Sequence, residues 1–162
     1  LRLEIEPGTF LVANAGAVLS RVQDLVSTGT REFIKLDSGM TEILRPSLYG
    51  SQHPVHLYPA KATGSSRDYV IVGHCCESGD LISCAPGEPE TLATRSLPEA
   101  AAGDLCVIGG AGAYCAGMST KNYNSFPEAP EVLLRRDGKF SLIRRRQSLE
   151  QILQNEQPAE GL

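Results

Sequence analysis

Three absences limit the possible functions of this 162-residue sequence before any motif is considered. No apolar run approaches the roughly 20 residues that a membrane-spanning helix requires, and no signal-peptide pattern opens the chain. Excess positive charge is also missing, since the formal net charge is −4, and this argues against nonspecific nucleic-acid binding. We therefore expect a cytoplasmic protein with neither a membrane nor a nucleic acid as its partner.

Cysteine spacing typical of a metal site or of a disulfide framework is absent as well. The cysteines are odd in number, have no C-x-x-C spacing, and lie at positions 75, 76, 84, 106 and 115. Among the histidines, only His74 lies close to cysteines in the sequence. We therefore predict no metal site and expect reduced thiols in a cytoplasmic protein.

The composition is that of one soluble globular domain. Apolar residues make up 41% of the chain and charged residues 21%, and the length is sufficient for a single domain with a real core. Leu1 to Glu6 alternates apolar and charged residues, which predicts a half-buried strand. Because that strand begins at the first residue and no initiator methionine precedes it, we expect a domain excised from a longer protein.

Turn signals divide the rest of the chain into short segments. Ser27 to Thr30 predicts one hairpin turn and Asp137-Gly138 another. Thr41 to Tyr49 should be a short helical or irregular segment that Pro46 limits, and a short helix is expected at Leu149–Leu153. Further strands are predicted at 55–58, 68–73, 104–109, 131–136 and 139–145. The pattern predicts a mainly β domain with short helical segments, an antiparallel barrel or sandwich, over residues 1–156, with a frayed tail at 157–162.

The run from Gly73 to Asp80 carries the most functional information. It reads Gly-His-Cys-Cys-Glu-Ser-Gly-Asp and follows the strand-like stretch Tyr69 to Val72. A thiol at Cys76 beside the carboxylate of Glu77, on a turn at a strand end, could move a proton or attack an electrophile. The alternative is that the cysteine is a small buried hydrophobe.

A second candidate is the pair Arg45 and Tyr49, four residues apart. On a helix the two side chains would share one face, and a guanidinium with a phenol can bind a carboxylate through several donors. The alternative is a surface arginine beside a half-buried tyrosine.

Seven short segments, taken in order, resemble one known family. They read EPG, VANAG, DSGM, RPSLYG, CESGD, GAY and NYNS. They resemble the C-terminal domain of the pyridoxal-phosphate decarboxylases with an alanine-racemase-like fold, and Glu77 favours the diaminopimelate branch over the ornithine and arginine branches. The resemblance implies an antiparallel β-barrel, pyridoxal 5'-phosphate as cofactor, decarboxylation of meso-diaminopimelate to L-lysine, and a homodimer with shared active sites. A decarboxylase of a related diamino acid or polyamine precursor, or a non-catalytic dimerisation module, stays as the alternative.

The resemblance also implies a role for each matching residue. Cys76 matches the proton donor, and Glu77 matches a substrate-binding carboxylate; both would act in the partner subunit's active site. Arg45 and Tyr49 match the pair that holds the distal carboxylate of the substrate. The tyrosine that touches cofactor and substrate, and the cofactor-proximal turn, correspond to Tyr114 and to Glu6, Pro7, Gly8 and Thr9.

Two departures from the family pattern stand out. Thr9 occupies a position where the family commonly has an arginine that contributes to carboxylate binding. The lysine that forms the Schiff base lies in the family's N-terminal barrel, and no lysine of this sequence lies in a matching motif. The resemblance therefore implies that this chain is inactive by itself.

Overall fold

The computed structural model describes residues 1–159. The chain forms two compact units, Leu1–Thr120 and the residues from Lys121 onward. The last three residues of the predicted tail lie outside the described part, while residues 157–159 are exposed and have no regular secondary structure. The predicted domain boundary at residue 156 stays a prediction.

Unit 1 is built around a six-stranded sheet. In chain order, the strands of this unit are β1 Val18–Ser27, β2 Glu32–Leu36, β3 Val55–Tyr58, β4 Ser66–Val72, β5 Cys84–Ala85, β6 Glu88–Leu92, β7 Arg95–Pro98 and β8 Leu105–Ile108. The order in the large sheet is β3-β8-β1-β2-β4-β7, and β5 pairs with β6 separately. The edge strands β3 and β7 approach within 8 Å between Cα atoms, so the sheet nearly closes on itself as a barrel does.

The mainly β, barrel-like prediction is confirmed, with one difference in strand direction. Strand β2 pairs in parallel with β4, whereas the other pairs are antiparallel. A parallel pair requires a crossover longer than a hairpin turn, and the connection through β3 and the helix α2 (Arg45–Tyr49) supplies it.

The core of unit 1 follows the two-residue period of its strands. Ile34 and Leu36 are 1% exposed and flank the exposed Lys35 on β2, as expected when one sheet face is buried. The second half of strand β4 is buried on both faces, because Ile71 packs into the main core while Val70 packs against Leu81 and Cys84. Burial on both faces fixes the end of β4, from which the Gly73–Asp80 turn departs.

Several sequence-based boundaries differ from the structure. The strand predicted at Leu1–Glu6 is wrong: these residues are exposed and form no strand, since no partner face covers their apolar side chains. Helix α1 (Thr9–Val12) and a 3-10 helix (Ala13–Ala15) follow. Strands β5, β6 and β7 were not predicted. The hairpin of β1 and β2 and the strand at Val55–Tyr58 are confirmed.

The second unit contains a hairpin and two short helices. Strands β9 (Glu131–Leu134) and β10 (Phe140–Arg144) pair antiparallel, as predicted. A 3-10 helix spans Tyr123–Ser125. Helix α3 (Leu149–Leu153) has the predicted bounds, and Ser148 and Gln151 form a capping box at its start. Within residues 1–159, no helix combines the length and apolar character needed to cross a membrane.

Candidate active site

The turn from Gly73 to Asp80, called here the thiol turn, is closed by its own backbone. Gly73 N donates to Asp80 O at 2.9 Å, and Asp80 N donates to Glu77 O at 3.1 Å. Because the two ends of the turn meet, its middle is directed away from the sheet. Cys76 and Glu77 lie in that middle and are exposed.

The buried carboxylate of Asp80 holds this turn from beneath. It is 2% exposed and accepts hydrogen bonds from Met40 N at 2.8 Å and Cys75 N at 2.9 Å. A β-carbon at Gly39 or Gly73 would lie 2.3 or 2.2 Å from an Asp80 oxygen, so only glycine fits at either position. Burial raises the pKa of the Asp80 carboxyl, and the two N–H donors oppose that rise. The DSGM and CESGD segments are therefore one structural unit.

The two adjacent thiols have different surroundings. Cys75 is half-buried, and its burial, followed by the neighbouring charge of Asp80, raises the pKa of its thiol to about 12. It therefore stays protonated and unreactive at neutral pH. Cys76 is exposed. The accessible thiol is thus the one that the sequence analysis selects as proton donor, a role that stays a prediction.

The carboxylate of Glu77 is oriented by its own turn. Its Oε1 accepts from Gly79 N at 2.9 Å and from Ser78 Oγ at 3.4 Å. These local donors orient one oxygen of an exposed side chain. A carboxylate that is oriented and exposed can bind an ammonium group at little further cost in side-chain entropy.

The guanidinium of Arg45 lies between two tyrosine rings. Its Cζ is 5.7 Å from the ring centroid of Tyr49 and 5.7 Å from that of Tyr114, within the range of cation–π interactions. The two tyrosines are 53% and 55% exposed. These three residues, called here the Arg45 cluster, present a cation and two phenols at the surface, the donors expected for carboxylate binding.

Helix α2 positions Arg45 and Tyr49 on this cluster. Pro46 lies in its first turn, and Gly50 ends it in the left-handed conformation, φ +63°, with its N–H donating to Pro46 O at 2.9 Å. A β-carbon at Gly50 would lie 2.4 Å from Glu88 N. The helix end is thus fixed against the start of β6, which explains the glycine that closes RPSLYG.

Close backbone contacts bring Tyr114 to the cluster. Ala111 N donates to Gly16 O and Gly112 N to Ala13 O, both at 2.9 Å, and a β-carbon at Gly112 would lie 1.9 Å from Val12 O. Tyr114 itself has φ +55°, an uncommon value for a residue with a side chain, and such strain is concentrated at functional sites. The contacts join VANAG to GAY.

The EPG turn lies beside Tyr114. A β-carbon at Gly8 would lie 3.8 Å from Tyr114 Oη, and Gly8 N donates to Glu6 O at 2.9 Å. The flanking Pro7 and Thr9 are exposed, and Thr9 begins α1. The structure thus brings Gly8 together with the Arg45 cluster. Cys76 and Glu77 lie on the thiol turn, and residues 39–44 connect that turn to α2.

Sequence reasoning missed the residues that hold these groups in place. His74, Thr41 and Glu42 form hydrogen-bonded contacts under the thiol turn, and Asp80 was noted only as part of a turn. The NYNS segment has a structural role in its own unit, where Asn122 donates to Phe126 O at 3.0 Å and to Gln147. No group of three or more His, Cys, Asp or Glu side chains within residues 1–159 could hold a metal ion.

Fold and site together define a β-barrel-like domain that presents a thiol, a carboxylate and an arginine–tyrosine cluster. The segments that carry these groups are held by close contacts at glycines. Residues 9–112 match the family model described as pyridoxal-dependent decarboxylase, C-terminal sheet domain. The chain belongs to this family, and the resemblance stated from its motifs is confirmed.

Named relatives agree with that assignment. The chain is 43% identical over 159 residues to diaminopimelate decarboxylase of Escherichia coli (strain K12), covering 94% of this chain and 36% of the relative. It is 45% identical over 150 residues to that of Deinococcus radiodurans, covering 93% of this chain and 36% of the relative. A crystal structure of diaminopimelate decarboxylase matches with a TM-score of 0.85 and 41% identity, over 95% of this chain and 37% of that one. The chain thus spans a little over a third of the length of these relatives.

A structure from outside the diaminopimelate branch is less similar. Lysine/ornithine decarboxylase of Vibrio vulnificus, complexed with cadaverine, matches with a TM-score of 0.58 and 25% identity. That match covers 74% of this chain and 30% of the other. The similarity to the diaminopimelate branch is higher in identity, coverage and superposition.

Proposed function

We propose that this chain is the C-terminal domain of a pyridoxal-phosphate-dependent carboxy-lyase that converts meso-diaminopimelate to L-lysine and carbon dioxide. The observation that carries the proposal is the exposed Cys76–Glu77 pair on a turn fixed by buried Asp80, in a chain 43% identical to the E. coli enzyme. The relatives are longer than this chain, which supports a complete enzyme that includes a further segment. We propose that this enzyme is cytoplasmic.

The proposed proton donor is Cys76. Pyridoxal phosphate, when bound, supplies the electron sink that allows loss of carbon dioxide. Cys76 holds a proton at Sγ and delivers it to the carbon from which carbon dioxide departs. Cys75 does not share this role, because the pKa of its half-buried thiol is about 12 and the thiol faces the Asp80 carboxylate.

The two ends of the substrate call for opposite charges. Glu77 presents a carboxylate to an ammonium group. Arg45 and Tyr49 bind the distal carboxylate, the guanidinium by paired donors and the phenol by one. Thr9 offers one neutral donor where the family commonly has a second arginine, so binding of that carboxylate depends on Arg45 to a greater degree.

The donor chemistry around Tyr114 fits one side of the cofactor. The hydroxyl-bearing ring of Tyr114 lies beside the backbone of Gly8. Gly8 belongs to a turn with Glu6, Pro7 and Thr9, and Tyr114 and the residues of this turn would contact the cofactor. The lysines of this chain lie outside that turn, and Lys35 and Lys121 are paired with Asp24 and Glu128. Covalent attachment is assigned to a lysine in the further segment of the enzyme, because the resemblance places the Schiff-base lysine in the family's N-terminal barrel.

The enzyme is proposed to be a homodimer whose active sites are shared. The resemblance implies that Cys76 and Glu77 act in the partner subunit's site, and their exposure leaves them accessible to a partner. A related diamino acid is the second candidate substrate, and Thr9 is the observation that favours it, because a lone arginine discriminates less strongly for a distal carboxylate.

Mixing of two inactive variants tests the proposal. The complete enzyme carrying Cys76→Ala is mixed with one lacking the cofactor lysine, and lysine formed from meso-diaminopimelate is measured. Random exchange makes half of the dimers mixed, each with one complete site, so activity should recover to roughly a quarter of wild type. Absence of recovery, with subunit exchange demonstrated by mass spectrometry, would refute the shared site. Absence of lysine from the wild-type enzyme would refute the substrate.

A further inference from the structure

A second anchor of the thiol turn, in addition to Asp80, joins His74 to Thr41 and Glu42 of the neighbouring loop. His74 Nε2 is 2.7 Å from Thr41 Oγ1, and Thr41 Oγ1 donates to Glu42 Oε2 at 2.7 Å. The side chains of His74 and Glu42 are only 14% and 12% exposed, and Thr41 is 7% exposed. Buried polar groups of this kind stabilise one arrangement strongly, because a change of arrangement would break hydrogen bonds that water cannot replace in the protein interior.

Counting protons fixes the direction of these bonds. A threonine hydroxyl has one proton, and the Glu42 carboxylate can only accept. The hydroxyl proton of Thr41 is therefore directed to Glu42, and its oxygen must accept from His74. The nitrogen Nε2 of His74 consequently carries a proton and acts as the donor.

Glu42, the last acceptor in this series of hydrogen bonds, also holds the neighbouring loop. Glu42 Oε2 accepts from Gly39 N at 2.9 Å and lies 3.8 Å from His74 Nε2. Gly39 is also one of the two glycines that pack against the Asp80 carboxylate. Two acidic groups therefore fix the turn through the same loop. Asp80 does so by binding the backbone at Cys75, and Glu42 does so through Thr41 and the imidazole of His74.

We propose that His74 is a positioning residue for Cys76: its imidazole, donating to Thr41, holds the thiol turn in the orientation that directs Cys76 outward and Cys75 inward. This role rests on the proposed function in so far as Cys76 is the proton donor. Asp80 fixes the turn at Cys75, and His74 fixes it one residue earlier. With either bond broken, the two adjacent thiols can exchange their positions.

Two pairs of variants test the proposal in the complete enzyme. His74→Leu removes the donor, whereas His74→Gln keeps an N–H donor with a side chain of similar length. Thr41→Val removes the hydroxyl at nearly constant volume, and Thr41→Ser keeps it. The measurements are the iodoacetamide labelling rates of Cys75 and Cys76, assigned by tandem mass spectrometry, the hydrogen exchange of amides 73–80, and kcat and KM for meso-diaminopimelate.

We expect His74→Leu and Thr41→Val to raise Cys75 labelling about tenfold, as loss of one or two buried hydrogen bonds allows. They should also lower kcat with little change in KM, and His74→Gln and Thr41→Ser should restore wild-type values. The proposal is overturned if glutamine restores no more than leucine, or if exchange rises equally in β8, because the variant would then loosen the whole unit. Normal labelling behaviour in a wild-type enzyme that makes no lysine would count against the proposed function alone.

Discussion

The thiol turn and the Arg45 cluster present their functional side chains in different ways. In the turn, Cys76 and Glu77 are exposed, and the groups that hold them, Asp80 and His74, lie underneath. In the cluster, Arg45 itself contacts the tyrosine rings. A substitution of the exposed Cys76 should therefore disturb packing less than a substitution of Arg45 does.

Glycine has a different function in each region. At Gly39 and Gly73 the place of the missing β-carbon is occupied by the Asp80 carboxylate, whereas at Gly112 it is occupied by the Val12 carbonyl. The turn is thus held by a buried charge and its hydrogen bonds, and the cluster by direct docking of backbone on backbone. Changes in pH should affect the first region more than the second.

The largest expected effect separates the two thiols of the turn. In the complete enzyme, Cys76→Ala should lower kcat by roughly 10²–10⁴-fold, the range for loss of a general acid, with KM nearly unchanged because the cluster still binds substrate. Cys75→Ala is the matched control and should leave kcat within a few-fold of wild type. Equal losses in the two variants would show that the proton donor has been assigned to the wrong thiol.

The next effect concerns pH and distinguishes the half-buried thiol of Cys75 from the exposed thiol of Cys76. Because the pKa of Cys75 is raised from 9.0 to about 12, its thiolate fraction at pH 8 should be roughly a thousandfold lower in the folded chain than in the unfolded chain. Labelling of native protein with iodoacetamide should therefore modify Cys76 and spare Cys75 until urea is added. Rapid labelling of Cys75 in native protein at pH 8 would contradict the burial seen here.

The same shift makes stability depend on pH. A thiol whose folded pKa is raised favours the folded state while it is protonated. Its contribution is complete below the ordinary value of 9.0 and is lost as pH rises through about 12. Cys75→Ala should therefore reduce the fall in stability over that pH range.

The sequence predicted those elements that local patterns specify. The bounds of β3 and α3 agree with the structure, because alternation and a capping box act within a few residues. Alternation at Leu1–Glu6 was misleading, since a strand also needs a partner to pair with. Strand β5 was not predicted because it has only two residues, and β6 and β7 were not predicted because each contains proline, which argues against a central strand.

Local motifs indicated the residues of the candidate site, whose roles stay predictions, but not the groups that hold them in place. Cys76, Arg45 and Tyr114 belong to motifs that can be read locally. The bond from Met40 to Asp80 joins residues 40 apart, and that between Thr41 and His74 joins residues 33 apart. No local period encodes such pairs, although a glycine near each end of the Asp80 contact is a signal that two segments approach closely.

A substitution at Gly73 tests whether buried Asp80 organises the turn. Gly73→Ala would place a β-carbon 2.2 Å from an Asp80 oxygen, so the carboxylate must move away from its two donors, and the free energy of unfolding should fall by about 3 kcal/mol. Gly117→Ala is the control, because nothing lies within 4 Å of its β-carbon. Urea titration of both variants measures the difference, and equal midpoints would show that the Asp80 site relaxes freely.

The smallest expected effect tests the Arg45 cluster as the site of substrate selection. Arg45→Gln removes the charge but keeps a side chain that can lie between Tyr49 and Tyr114. Loss of charged hydrogen bonds to the distal carboxylate should weaken binding by about 2 kcal/mol, roughly 30-fold in KM. Discrimination between meso-diaminopimelate and lysine-like analogues should fall by a similar factor.

Arg67→Gln provides the matched control for that experiment. Arg67 pairs with Glu99 at 3.0 Å on the surface, and its side chain is 56% exposed, so its loss should leave KM and kcat within a factor of about two. Because the distal carboxylate is remote from the bond that breaks, Arg45→Gln should also lower kcat far less than Cys76→Ala does. If Arg45→Gln left the relative specificity unchanged, Arg45 and Tyr49 would serve only to position the ring of Tyr114. Another cation would then have to select the substrate.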